Sequence, residues 1–323
     1  MHSLEKITQT VQEGIAGLHL PQEPALLYAP IRYTLDAGGK RIRPLLALGS
    51  FALFSDDLQK AVPAALAVEV FHNFTLLHDD IMDDSSLRRG RETVHVKWNE
   101  NVAILSGDAM LIYAYELASR SAPEKLPRIM PLLNRIFMGV CEGQQYDMDF
   151  ENRNDVTADE YLHMIGLKTA VLLAGAMQVG AILGGADETG AALLYDAGMR
   201  LGTAFQLQDD LLDTYGDAGV WGKNTGDDIA DNKKTYLLIK ALELGDARDK
   251  ARLIDLASSS VGREEKIEAV KAIYAKTNVR ELTEALVDDY FTRASAIIDA
   301  VPVDEDRKQP LRELAQTLVG REK

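Results

Sequence analysis

The sequence predicts an all-α protein. Three observations carry that reading: long segments whose apolar residues recur with helical periodicity, a scarcity of alternating β-branched runs, and glycine and proline that punctuate the chain without a long flexible linker.

In order along the chain, Ala61 to Phe74, Val102 to Ala118, Ile129 to Cys141, Ala191 to Leu211 and Lys233 to Leu244 read as helices. Thr277 to Ile298 reads as further amphipathic helix. Breaks are expected at Gly38-Gly39, Ser119 to Lys125, Asn152 to Val156 and Tyr215 to Lys234. The last is a polar connection long enough to call for a functional reason. Thr169 to Ala186 carries no charge, but its glycines and Gln178 dilute it. It is expected to be a helix buried on all sides rather than a membrane span.

The 323 residues are 46% hydrophobic and 26% charged, enough for a core and a solvated surface, and residues 1–323 read as a single domain. A net charge of −15 argues against nucleic-acid binding and against adhesion to anionic lipid. Cys141 is the only cysteine, which excludes an internal disulfide and a cysteine-rich zinc site. With no basic start followed by an apolar run at the N-terminus, a cytoplasmic location is expected.

Two DDxxD strings carry the chemistry, Asp79-Asp80-Ile81-Met82-Asp83 and Asp209-Asp210-Leu211-Leu212-Asp213. On a helix the first and fifth positions lie about 40° apart, so each string presents two carboxylates to one place. Crowded carboxylates call for a cation, and oxygen-only ligation suits magnesium, which keeps waters and takes phosphate oxygens. Both strings adjoin apolar residues, which a merely solvated acidic face would not favour. Asp56-Asp57 has no fifth-position partner and reads as a loop or helix start.

Basic residues gather against the general acidity of the chain, in Gly39-Lys40-Arg41-Ile42-Arg43 and in Arg88-Arg89-Gly90-Arg91, five residues past Asp83. Guanidinium forks and ammonium groups beside metal-binding carboxylates suit a diphosphate. Lys168-Thr169, Phe205-Gln206, Lys223 and Lys233 complete the set.

Together these residues resemble the trans-type polyprenyl (isoprenyl diphosphate) synthases, in one order from about Gly38 to Thr235. The resemblance implies a helical bundle around a deep cavity, usually in a homodimer, with the aspartate strings facing each other across its mouth. It implies that Asp79, Asp80, Asp83, Asp209, Asp210 and Asp213 form the metal motifs, with about three magnesium ions. Arg88, Lys168, Lys223 and Lys233 match residues that contact the allylic diphosphate. Gly39, Lys40, Arg43, His72 and Arg89 match the isopentenyl diphosphate pocket. Thr169 and Gln206 match positions near the reacting carbons, and Gln144 and Asp147 match a Gly-Gln-x-x-Asp element on the cavity wall.

The implied reaction ionises an allylic diphosphate, adds isopentenyl diphosphate to the carbocation and loses a proton, with diphosphate departing. Phe74 and Thr75, five and four residues before Asp79, match the chain-length positions. Phe74 beside a small Thr75 and an uninserted first string resembles twenty-carbon synthases, which puts geranylgeranyl diphosphate first and farnesyl diphosphate second. Phe71, Tyr113 and Tyr115 could also narrow the tunnel. A terpene cyclase would lack the second DDxxD string, and a non-catalytic subunit of a heteromeric synthase would lose one of the two.

Overall fold

Val62-Pro63 opens the helix that carries the first aspartate string, and proline in a first turn forfeits only an amide that had no helical partner. The computed structural model describes residues 2–216, 225–258 and 261–319. The chain divides into two compact units. One comprises Met1–Phe137, Gly175–Tyr195 and Ile298–Leu314, the other Met138–Ala174, Asp196–Ile297 and Ala315–Lys323.

The first unit is built on α1 (Leu4–Ala16), α2 (Ala25–Leu35), α3 (Ile42–Ala52), α4 (Val62–Met82), the short α5 (Val94–Lys97) and α6 (Glu100–Ser119). Helix α4 is apolar on most of its surface, and it packs chiefly against α6 and α3. Asn99 starts α6 by accepting the Val102 amide at 2.9 Å. Phe51, Phe71, Leu46, Leu48 and Met110 are among the largest side chains wholly inside. Between α4 and α5, Leu87–Arg88 pairs antiparallel with Arg91–Glu92. Arg89 and Gly90 turn this hairpin, both with positive φ (53° and 73°), as a two-residue primed turn requires. These strands leave no trace in the sequence pattern, because two residues are too short for a period.

Helix α7 (Leu126–Glu151) runs from the first unit into the second. There α8 (Ala158–Ile165) begins with a capping box, in which Thr157 accepts the Glu160 amide and Glu160 accepts the Thr157 amide. Gly166–Ala170 then forms a π turn that leads into α9 (Val171–Gly184). Helix α10 (Glu188–Tyr215) carries the second aspartate string. It is followed by α11 (Asp227–Ala230), α12 (Tyr236–Leu244), α13 (Ala247–Ser258), α14 (Arg263–Thr277), α15 (Val279–Ala300) and α16 (Glu305–Val319). Tyr161, Leu207, Leu211, Leu237, Leu256 and Tyr274 are buried in one core there.

Three sequence expectations are refined. Helix α12 starts at Tyr236 instead of Lys233, because the Thr235 hydroxyl caps it by accepting the Leu238 amide. The amphipathic stretch from Thr277 to Ile298 is one helix, α15, which starts at Val279 because Asn278 takes φ 51° and ends α14 just before it. The polar connection after Tyr215 contains α11.

Among the described residues two helices, Glu100–Ser119 and Ala158–Gly184, are long and apolar enough to cross a membrane. In the second, which contains the uncharged stretch, 83% of the most apolar window is buried, as a core helix requires.

Candidate active site

In the first unit, Asp79 and Asp83 stand one helical turn apart at the end of α4, where the Asp83 amide donates to the Asp79 carbonyl at 2.8 Å. Asp80 points inward, and its Oδ1 accepts from Arg88 Nε at 2.6 Å. Burial raises the Asp80 carboxyl above its ordinary value in spite of that arginine. The first string therefore does two jobs. Its outer members stand one above the other on the helix, while the middle one anchors the hairpin that carries Arg88 and Arg89.

The glycine loop before α3 meets that hairpin. Arg89 Nη1 donates to the Gly38 carbonyl, and a Cβ on Gly39 would lie 2.7 Å from Arg89 Cζ. Arg41 sits at φ 49°, and its guanidinium donates to the Leu35 carbonyl and, at 2.5 Å, to Glu69 Oε1. Glu69 is buried and also accepts from Asn73 Nδ2 at 3.0 Å. Arg41 thus stands inside, fixing the loop from which exposed Lys40 and partly buried Arg43 project. His72 is held well below its ordinary pKa, first by burial and then by the fields of Arg43, Arg89, Arg88 and Arg41. It is neutral at pH 7, with one ring nitrogen to donate and one to accept.

In the second unit, the π turn presents Lys168 and Thr169. Lys168 Nζ is paired with Asp147 Oδ2 at 2.6 Å. The Thr169 hydroxyl donates to Gln206 Oε1 at 2.9 Å, and Gln206 Nε2 donates to Asp210 Oδ1 at 3.1 Å. Tyr161, wholly buried, donates its hydroxyl to Asp210 Oδ2. Two glycines let the neighbouring helices reach this turn. A Cβ on Gly143 would meet Lys168 Cα at 2.6 Å, and one on Gly202 would meet Ala170 Cβ at 2.7 Å. The Gly-Gln-x-x-Asp element thereby acquires a physical meaning: Gly143 permits the approach and Asp147 holds the lysine.

Two carboxyls of the second string are raised, Asp210 to about 8 and Asp213 to about 6, by burial first and then by the nearby Asp228. Asp213 accepts the Asp228 amide through Oδ2 at 3.0 Å, so it also caps α11. Lys233 lies 3.6 Å from Asp228 Oδ1. Asp228, Tyr161 and Glu69 are contributors that sequence reasoning missed. For Asp228 a signal existed, because Asp227-Asp228-Ile229-Ala230-Asp231 is a third DDxxD string. Lys223 lies outside the described residues.

Among the described residues no group of three acidic, histidine or cysteine side chains closes around a metal. Magnesium does not require one, because it is commonly held by one or two carboxylates plus waters and substrate phosphates. The pairs Asp79 with Asp83 and Asp209 with Asp213 fit that donor set, and the raised Asp210 and Asp213 are carboxyls that a nearby cation would ionise.

Comparison with known proteins accords with this arrangement. The family model described as polyprenyl synthetase matches residues 24–276. A short chain isoprenyl diphosphate synthase of Methanothermobacter thermautotrophicus is 37% identical over 323 residues, covering 100% of this chain and 98% of that protein. A geranylgeranyl diphosphate synthase of Methanosarcina mazei is 38% identical, with 93% and 91% covered. The crystal structure of a geranylgeranyl pyrophosphate synthase superposes with a TM-score of 0.94 at 44% identity, covering all of both chains.

Proposed function

Because this chain belongs to the polyprenyl synthetase family and is a prenyltransferase, we propose that it condenses isopentenyl diphosphate with allylic diphosphates and stops at geranylgeranyl diphosphate. Farnesyl diphosphate ranks second as the end product. The observation that carries this reading is the arginine cluster of the first unit, where the hairpin's Arg89 donates to the Gly38 carbonyl of the glycine loop and its Arg88 to Asp80. Four guanidinium groups act on one neutral imidazole, in a chain of net charge −15. Such a concentration of cations suits a polyanionic substrate.

Gly39, Lys40, Arg43, His72 and Arg89 bind isopentenyl diphosphate in this reading. Arg88, Lys168, Lys223 and Lys233 bind the allylic diphosphate. Asp79, Asp83, Asp209 and Asp213 hold magnesium, about three ions in all, while Asp80 and Asp210 act from behind them through Arg88 and Gln206. Bound magnesium supplies positive charge that stabilises the leaving diphosphate. Asp147 holds the Lys168 ammonium in place, so its donors are set before substrate arrives. Thr169 spends its proton on Gln206, which leaves its oxygen lone pairs to face a carbocation.

Product length is assigned to Phe74, which is buried with its ring 5.4 Å from Phe71, itself stacked on Phe137 at 3.6 Å. Thr75 beside it is small, and its hydroxyl is spent on the His72 carbonyl at 2.9 Å.

A homodimer is part of the proposal. Ile104, Leu105 and Ile112 are 44%, 60% and 70% exposed along one side of α6, an apolar strip that a second copy would cover. The single-domain reading of residues 1–323 is retained because α7, α9 and α10 each contribute residues to both units. A cytoplasmic location rests on the lone Cys141.

The test is purified protein alone with magnesium, isopentenyl diphosphate and farnesyl diphosphate, followed by chromatography of the dephosphorylated products. A twenty-carbon alcohol that disappears on chelation is expected. A hydrocarbon formed from the allylic substrate alone would indicate a cyclase, and no elongation without a partner chain would indicate a subunit.

A further inference from the structure

Helix α11 is a single turn, too short to hold itself together. Its start is tied down by Asp213, whose carbonyl accepts the Gly226 amide at 2.7 Å and whose carboxylate accepts that of Asp228. Its end is a Schellman turn. Asn232 takes φ 58° and its amide donates to Ile229, while the Lys233 amide donates to the Asp228 carbonyl at 2.9 Å. That pattern leaves the Ala230 carbonyl without a partner inside the turn.

Lys266 of α14 supplies one. Its Nζ donates at 2.7 Å to the Ala230 carbonyl and at 2.7 Å to Asn232 Oδ1. The same helix presses Ile267 against Gly226, where a Cβ would lie 2.8 Å from Ile267 Cδ1. Arg263 adds an exposed pair with Asp227.

Stability alone does not account for this lysine. It is 8% exposed, and among the described residues it makes no ion pair: both of its hydrogen-bond acceptors are neutral, Asp231 acts on it only from beyond ion-pair distance, and burial outweighs that carboxylate and holds the ammonium below its ordinary pKa. A charge in that position costs desolvation that an apolar residue of the same length would not. What the lysine does uniquely is grip both the last carbonyl of α11 and the side chain of the residue that turns the chain. The next residue is Lys233.

We propose that Lys266 is a positioning residue for the allylic diphosphate subsite, holding the 226–233 turn so that Asp213 and Lys233 keep their places. The proposal rests on the functional reading above. It gives the part of the chain beyond about residue 245 a role in the reaction without contact with substrate.

The experiment compares Lys266→Met, which keeps the stem and removes the donors, with Lys266→Arg, which restores them. In the full-length protein without ligands, hydrogen exchange of the 226–233 amides is expected to quicken about 10- to 100-fold in the methionine variant. Exchange in α4 should be unchanged. In steady-state assays KM for the allylic diphosphate should rise about 10- to 100-fold, KM for isopentenyl diphosphate should stay within about twofold, and Lys266→Arg should recover most of the loss.

Unchanged exchange in Lys266→Met overturns the tether, whatever the protein catalyses. Equal changes in both Michaelis constants, together with a fall in Tm, reduce Lys266 to a structural role and also overturn the proposal. A wild-type protein that makes no elongated product sinks the functional reading while leaving the exchange result to stand or fall by itself.

Discussion

Replacing Gly143 by alanine would place a methyl group against the backbone of the π turn. The new Cβ would lie 2.6 Å from Lys168 Cα and 2.7 Å from the Leu167 carbonyl carbon, with the Lys168 nitrogen nearer still. Ordinary contact begins near 3.4 Å and the Lys168 nitrogen would lie at 2.2 Å, so the largest deficit is about 1.2 Å, and no rotamer change can relieve a clash of Cβ with backbone atoms. Helix α7 and the turn must separate by about 1 Å, at an overpacking cost of about 1–3 kcal/mol. The Lys168–Asp147 pair at 2.6 Å, which joins the turn to α7, would then be stretched past hydrogen-bonding distance, and Thr169 would be displaced from the geometry of its 2.9 Å bond to Gln206. Misplacement on that scale is worth about 100-fold in rate. Gly139→Ala, one turn earlier in α7, is the control, because its Cβ would meet neighbours at 3.6 Å or more. Helix propensity favours alanine at both sites by about 1 kcal/mol. Steady-state kinetics and thermal unfolding of the two variants should therefore diverge: Gly139→Ala active and slightly stabilised, Gly143→Ala slow and destabilised. A Gly143→Ala protein with normal kcat and a raised Tm would show that propensity outweighs packing and would refute the reasoning.

Asp79→Ala and Asp209→Ala are each expected to cut turnover by several powers of ten with little change in Tm, since removing one of several crowded carboxylates relieves repulsion. Near-normal turnover at saturating magnesium would end the metal assignment. Phe74→Ala should shift products to twenty-five carbons or more, visible by chromatography; an unchanged product spectrum would place the floor elsewhere. The carboxyls of Asp210 and Asp213 are raised in the folded protein, to about 8 and about 6. The native state therefore binds more protons than the unfolded chain between pH 4 and 8, and their contribution to stability is present below that window and lost as pH rises through it. From pH 7 to 8 the Tm of metal-free protein should fall, and Asp210→Asn should flatten the slope; an equal slope in that variant would exclude Asp210 as its source.

The helices and the chemistry of the site were legible because both are local. Helical periodicity and a DDxxD string repeat within one or two turns, and the basic clusters need only seven residues. What was hidden depends on partners far along the chain. Tyr161 reaches Asp210 across 49 positions, and Lys168 meets Asp147 across 21. No spacing rule connects such pairs. The roles within a string were hidden for the same reason. Asp80 and Asp83 are equivalent letters in a motif, yet burial turns one toward Arg88 and leaves the other exposed. Asp227 to Asp231 repeats the motif on a helix one turn long, where Asp227 pairs with Arg263 and Asp228 with Lys233.

The π turn at Gly166–Ala170 is in effect a one-residue insertion lodged in a helix that otherwise runs from Ala158 to Gly184. Deleting a residue from an ordinary helix turns everything beyond it by about 100° and ruins its packing. Here a deletion, of Leu167 for instance, would let the ladder close as a regular α-helix. Rotation that elsewhere destroys a fold would be absorbed in part at this point, but Thr169 would swing away from Gln206. Such a chain would keep its helices and lose its chemistry. The surplus residue is thus tolerated against the regularity of the helix for the sake of where two side chains point, and shortening the sequence by one is a more searching probe of that bargain than any substitution.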